Sequence, residues 1–197
     1  MIKLGVFLIP NNKLKKIIIN LKREVKKNFG SQKYLSHPPH CTLCVLYVSN
    51  LFLQSMKKKN LKVKHLKAFK IEKTDVFFND PVTKGNTLIL KIKKNKFLNS
   101  VQLQILKLIK KYLIKKTINF TNLKMKNNFK KYGYPFVNLN WLPHFTIASI
   151  AKKQNQKIFI NNFKNFKNYI PKQKVKYIYF YKIKKQQHKF LWKTKLV

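Results

Sequence analysis

Pro39-His40-Cys41-Thr42-Leu43 and Pro143-His144-Phe145-Thr146-Ile147 are two copies of one pattern, Pro-His-x-Thr-apolar, a hundred-odd positions apart. Each leads into an apolar run, Cys44 to Val48 in the first case and Ala148 to Ile150 in the second, and so reads as the start of a strand. Side chains at i and i+2 of a strand share a face, which places His and Thr of each copy about 7 Å apart and pointing the same way. If the two strands lie side by side, two imidazoles and two hydroxyls look into one space. Imidazole titrates near neutrality and can act as either acid or base, while a hydroxyl can bond the oxygens of an anion. A single copy would be read as a structural histidine. Two copies among five histidines would arise by chance in roughly one such sequence in a hundred, and the shared proline makes it rarer.

The 197 residues fit one domain, or two intimately packed lobes, with mass enough for a core. An apolar content of 45%, with Phe 16 and Tyr 9, argues against disorder. The net charge of +41 is extreme, and Glu24, Glu72, Asp75 and Asp80 are the only acids. Such a surface attracts polyanions. Arg23 is the only arginine. An AT-rich coding sequence explains lysine in place of arginine but not the missing glutamate, whose codons are also A-rich. Lysine without arginine supplies point charges rather than bidentate forks, suited to holding phosphate backbones and poorly suited to reading sequence.

Cys41 and Cys44 are the only cysteines, so no disulfide framework exists and a reducing, cytoplasmic location is expected. Their C-x2-C spacing invites zinc, but a regular strand aims positions 41 and 44 at opposite faces, and no second pair follows. No metal and no cofactor is expected. Met1 to Pro10 has too short an apolar run for a signal peptide, and no run approaches a membrane span, so no membrane partner is expected.

In chain order, Ile2 to Ile9 reads as a buried strand. Asn12 caps a helix with the apolar stripe Leu14, Ile17, Ile18, Leu21 and Val25, closing at Phe29-Gly30. A proline-containing loop, Ser31 to Pro39, leads to the strand Cys41 to Val48, and Leu51 to Met56 forms a short helix. Phe69 to Phe78 and Thr87 to Ile92 pair about an Asn79-Asp80-Pro81 turn. Asn95 caps a helix with Leu98, Val101, Ile105, Ile109 and Tyr112 on one face. Positions 117–140 read as a long loop. The second motif strand, a short helix over Ile158 to Phe166, and a hairpin of Val175 to Ile183 with Phe190 to Val197 complete the chain. The hairpin turns around Lys185-Gln186-Gln187-His188. This mixture is α+β with antiparallel sheets. The unit of strand, helix and motif strand occurs twice, and so residues 1–197 are expected to form a single domain of two pseudo-symmetric lobes facing across a central cleft, helices outside.

These residues resemble the two-histidine (2H) phosphoesterase superfamily, the LigT-like 2'-5' RNA ligases and cyclic phosphodiesterases. The likeness rests on His40-Cys41-Thr42-Leu43 and His144-Phe145-Thr146-Ile147, supported by the opening Gly5-Val6-Phe7-Leu8, the Phe77-Phe78 strand before Leu88-Ile89-Leu90, and the closing hairpin. It implies a bilobal fold with the motifs lining the cleft, and metal-independent chemistry on cyclic phosphates or 2'-5' phosphodiesters. Where relatives often carry a basic residue after the second motif, this chain has Ala148-Ser149, so either phosphate contacts come from lysines elsewhere or the substrate differs.

The residue chemistry agrees. Opening a 2',3'-cyclic phosphate needs a base for water and an acid for the departing ribose oxygen, roles that His40 and His144 can divide, with Thr42 and Thr146 bonding the non-bridging oxygens. Four scattered acids make a two-metal site hard to build. Phe7, Tyr34, Tyr132 and Tyr134 are candidates to stack a base of the substrate, an RNA or nucleotide bearing a cyclic phosphate. His37 reads as a loop residue, or one that supports His40 from behind, whereas His65 and His188 read as solvated. Lys57-Lys58-Lys59 and Lys130-Lys131 could guide RNA to the cleft. A monomer is expected. The alternatives are a catalytically silent basic RNA-binding protein on the same fold and a cyclic phosphodiesterase of small nucleotides.

Overall fold

The computed structural model describes the chain except residues 57–60, 63–66, 81, 115–121, 152–155, 167–169, 171 and 185–186, and the side chain of Met56. Nine strands and five helices are described: β1 (Ile2–Leu8), α1 (Asn12–Phe29), β2 (Cys41–Val48), α2 (Leu51–Met56), β3 (Ala68–Phe69), β4 (Ile71–Phe77), β5 (Asn86–Ile92), α3 (Lys96–Ile109), α4 (Leu123–Tyr132), β6 (His144–Ile150), α5 (Gln156–Lys164), β7 (Gln173–Lys174), β8 (Tyr177–Lys184) and β9 (Gln187–Lys195). Seven strands make one antiparallel sheet in the order β4-β5-β6-β2-β1-β8-β9, and β3 pairs with β7. Among the described residues no helix is long and apolar enough to cross a membrane.

Short-range chemistry explains most boundaries. The Asn11 side chain accepts from the Leu14 amide at 2.9 Å, so the cap is Asn11 rather than Asn12. Leu14, Ile18 and Val25 are buried from α1, each contributing about 1.5–3 kcal/mol. Asn95 caps α3 as expected, through the Leu98 amide at 2.9 Å. The expected loop over 117–140 is corrected by α4. Asn122 caps it through the Met125 amide at 3.0 Å, and it ends on Gly133, whose φ is 69°. That cap, that glycine and the spacing of Met125, Phe129 and Tyr132 were readable signals.

The middle of the sheet carries its least regular joint. β2 and β6 share a single paired position, Cys41 with Phe145. The helices brace this seam crosswise: α1, which follows β1, packs on β6, and α3, which follows β5, packs on β2. On either side lies the same arrangement, an outer strand, an inner strand and a motif strand: β4-β5-β6 on one side and β8-β1-β2 on the other.

Both motif strands are bulged at the same place. In β1–β2, Phe7 pairs with Thr42 and Val6 with Cys44, so Leu43 is the extra residue. In β5–β6, Ile89 pairs with Thr146 and Leu88 with Ala148, so Ile147 is the extra residue. The apolar residue that closes each motif is thus the bulge, and it reverses the alternation along the rest of the strand. Consequently Cys41 and Cys44 both face the core, correcting the opposite-face reading made from regular alternation. Burial pushes the Cys41 thiol up to about 12 and raises Cys44 as well, so neither is a thiolate at neutral pH.

Candidate active site

With Cys41 and Phe145 buried on the core side, His40, Thr42, His144 and Thr146 occupy the opposite face, all partly accessible. A regular antiparallel register continued one step from the Cys41–Phe145 pair would set Thr42 across from His144 and His40 across from Thr146. The two imidazoles would then be diagonal neighbours, residues about 7–8 Å apart.

The two rings are set in the same way. His40 Nδ1 lies 2.7 Å from the Pro38 carbonyl oxygen, and His144 Nδ1 lies 2.8 Å from that of Leu142. A carbonyl only accepts, so Nδ1 carries the hydrogen in both rings and Nε2 is the free basic nitrogen when the ring is neutral. Each carbonyl belongs to the residue before the motif proline, so the Pro-His pair sets the tautomer as well as the strand start. The bulge is held from behind by two side chains that no sequence motif singles out. Trp141 Nε1 donates to the Thr42 carbonyl at 3.1 Å, and Gln102 Nε2 donates to those of Leu43 at 2.9 Å and Phe136 at 3.0 Å. A buried glutamine on an otherwise apolar helix face was the available signal.

Phe7 pairs with Thr42 on the same face, and its ring centroid is 4.2 Å from that of His40. It is 2% exposed, so it is a backing for His40 rather than an open stacking surface. The approach depends on Gly5, where an added Cβ would stand 2.4 Å from Phe7 Cζ. His188, expected to be solvated at a hairpin tip, is instead inside β9. Its ring is 5.2 Å from His40, 5.1 Å from His37 and 5.3 Å from Phe7. His37 therefore also joins the cluster. Among the described residues no three His, Cys, Asp or Glu side chains stand in a metal-holding arrangement, the trio included.

Tyr34 has a φ of 71° and meets His37 edge-on at 5.3 Å, at the border of the site. Tyr132 and Tyr134 are not brought to this face. Tyr132 ends α4 and packs on the core, and Tyr134 lies against the core beside the Cys41 and Cys44 thiols. His65 and Lys57-Lys58-Lys59 lie outside the described residues. The register supplies instead a cation missed in the sequence: Lys91 pairs directly with His144 and is 3.3 Å from Glu72.

The surroundings of the two histidines differ in charge. Burial lowers His40 to about 4, a fall opposed by the Pro38 hydrogen bond and reinforced by His188, His37 and Lys22. Burial also lowers His144, but the Leu142 hydrogen bond and the Asp80 carboxylate both act upward. Lys22, nearly buried, donates to the Tyr34, His37 and Leu35 carbonyls at 2.5, 2.8 and 3.4 Å, and burial lowers it to about 8. It fixes the segment whose next carbonyl, Pro38, orients His40.

The sequence matches no family model, and no curated protein matches it. Its structure is similar to that of TT0787 of Thermus thermophilus, with a TM-score of 0.61 at 12% identity over 98% of this chain and 97% of that one. E. coli LigT in its apo form gives 0.55 at 12% identity over 100% and 98%, and LigT complexed with 3'-AMP gives 0.50 at 12% over the same shares. These likenesses span the chain end to end. The chain is an α+β protein with a LigT-like fold.

Proposed function

We propose that the protein is a metal-independent phosphoesterase acting on RNA 2',3'-cyclic phosphate ends or 2'-5' linkages, built from two pseudo-symmetric lobes that each contribute one His-x-Thr motif. The observation that carries this reading is the matched setting of the two imidazoles: each holds its Nδ1 hydrogen on a backbone carbonyl, on one sheet face with both threonines. For hydrolysis, neutral His40 takes a proton from water at Nε2 while the water oxygen bonds to phosphorus. The bond from phosphorus to one ribose oxygen breaks, and imidazolium His144 gives its Nε2 proton to that oxygen. Thr42 and Thr146 hydroxyls, with Lys91, hold the non-bridging oxygens. His40, which His188, His37 and Lys22 push further down, is assigned as the base, and His144, with Asp80 acting upward, as the acid. The LigT complex with 3'-AMP supports a nucleotide-sized substrate.

The test is turnover of an RNA oligonucleotide ending in a 2',3'-cyclic phosphate, in excess EDTA, followed by phosphorus NMR. Turnover lost in His40→Ala and in His144→Ala supports the reading. Absence of turnover in the wild type, or activity retained in both variants, overturns it; RNA binding without turnover would favour the silent RNA-binding alternative.

A further inference from the structure

A hollow of about 390 Å³ adjoins the His40 loop, between α1 and the segment Leu35 to Pro39. That volume is within the ~300–1,000 Å³ of pockets that hold small organic ligands. Its floor is apolar, made by Ile19, Leu35, Pro38 and Pro39, and its α1 wall carries Lys15, Arg23 and Lys26. The spacing 15, 19, 23, 26 is one stripe of a helix, so these side chains are neighbours on one face. Like charges at such spacings destabilise a helix. None of the chain's four acids lines the hollow, so nothing there offsets them.

Three features give the hollow a chemical preference. An apolar floor beneath a cationic wall suits a flat, apolar-faced molecule bearing negative charge. The only arginine of a chain with 45 basic residues stands in this wall, and a planar guanidinium both stacks on rings and forks onto phosphate, which lysine cannot do. The hollow also shares a wall with the active face: His37 lines it and meets His188, which meets His40. His37 and His40 are three residues apart, at most about 11 Å between Cα atoms.

We propose that this hollow binds the nucleotide unit next to the reacting phosphate of an RNA strand, base on the apolar floor and phosphate on Arg23 and the flanking lysines. The occupant would press on the segment that Lys22 pins and that orients His40. This rests on the phosphoesterase reading for its link to turnover, but its binding test does not.

The binding test follows backbone amide shifts of Ile19, Leu35 and Ser36 by NMR as 5'-AMP, and separately inorganic phosphate, is added to the full chain. Saturable shifts with 5'-AMP, absent or at least tenfold weaker with phosphate, and weakened tenfold in Arg23→Ala and in Ile19→Glu, support the subsite. Equal response to phosphate and 5'-AMP, or no response, overturns it. The kinetic test compares kcat/KM for a dinucleotide and a mononucleotide 2',3'-cyclic phosphate. The ratio should fall about tenfold in Ile19→Glu and in Arg23→Lys, which keeps the charge and removes the fork. A ratio unchanged in both, or lowered equally by Lys193→Gln, five residues along β9 from His188, overturns the proposal. Binding without any turnover would instead sink the phosphoesterase reading and leave the subsite standing. A thermal melt of each variant distinguishes loss of fold from loss of binding.

Discussion

Around His40 stand Phe7, His37 and His188, with Lys22 behind the loop; around His144 stand Phe77, edge-on at 5.3 Å, Lys91 across the strand pair, and the field of Asp80. The frames beneath are alike: a Pro-His turn, a carbonyl on Nδ1, and a bulge at the apolar residue that closes the motif. A repeated backbone thus carries unequal electrostatics. A pair of identical histidines would titrate together and leave few molecules with one neutral and one charged. Surrounding one with imidazoles and a buried amine, and giving the other a carboxylate, separates them.

The harshest way to break the comparison is to remove either ring. His40→Ala and His144→Ala should each lower kcat by about 10²–10⁴-fold on a cyclic-phosphate oligonucleotide, while the salt dependence of RNA affinity stays as in the wild type. If one variant keeps most of its activity, the division of labour is wrong. Next come the supports. Lys22→Met removes the ammonium donor from three carbonyls, of which that of Tyr34 keeps the His37 amide, and should cost about 2 kcal/mol or more in urea unfolding, with a larger relative loss of kcat than of RNA affinity. Gly5→Ala places a methyl against Phe7 and Ile183 and should cost about 1–3 kcal/mol.

Smaller effects sharpen the asymmetry. The free-enzyme kcat/KM profile should be bell-shaped and acid-shifted, rising through about pH 4 as His40 deprotonates and falling below the ordinary imidazole value as His144 does. Asp80→Asn should move the falling limb to lower pH and reduce turnover at pH 7 several-fold, leaving the rising limb in place. His188→Gln removes a like charge from His40 and should move the rising limb up, narrowing the bell from the other side. Stability carries the same sign. Both rings bind protons less readily folded than unfolded, so their contribution is complete above about pH 6.5 and is lost as pH falls towards 4. The urea midpoint should drop across that window, and drop less in His40→Asn.

Much of this was legible in the chain because it is local. Period-two alternation, Asn caps and the two Pro-His-x-Thr runs place the motif strands and α3 nearly to the residue. What escaped depends on distance or on broken regularity. The alternation rule assumes no extra residue, so Leu43 and Ile147 as bulges, and Cys44 facing the core, were out of its reach. His188 is about 150 positions from His40, and only the pairing of β1 with β8 and β8 with β9 carries it there. Lys91 is one lysine among many until the register places it across from His144. Tyr132 and Tyr134 were candidates by residue type alone, and they pack on the core at the end of α4 and just beyond it.

The crosswise bracing at the seam has a consequence for how the molecule comes apart. Since α1 covers β6 and α3 covers β2, neither half owns the lid of its own motif strand, and a fragment holding one half would leave that strand bare to water. The two rings should therefore lose protection in one cooperative transition, and amide exchange near Thr42 and Thr146 should report a single opening free energy. A two-ring site assembled in this way exists whole or not at all.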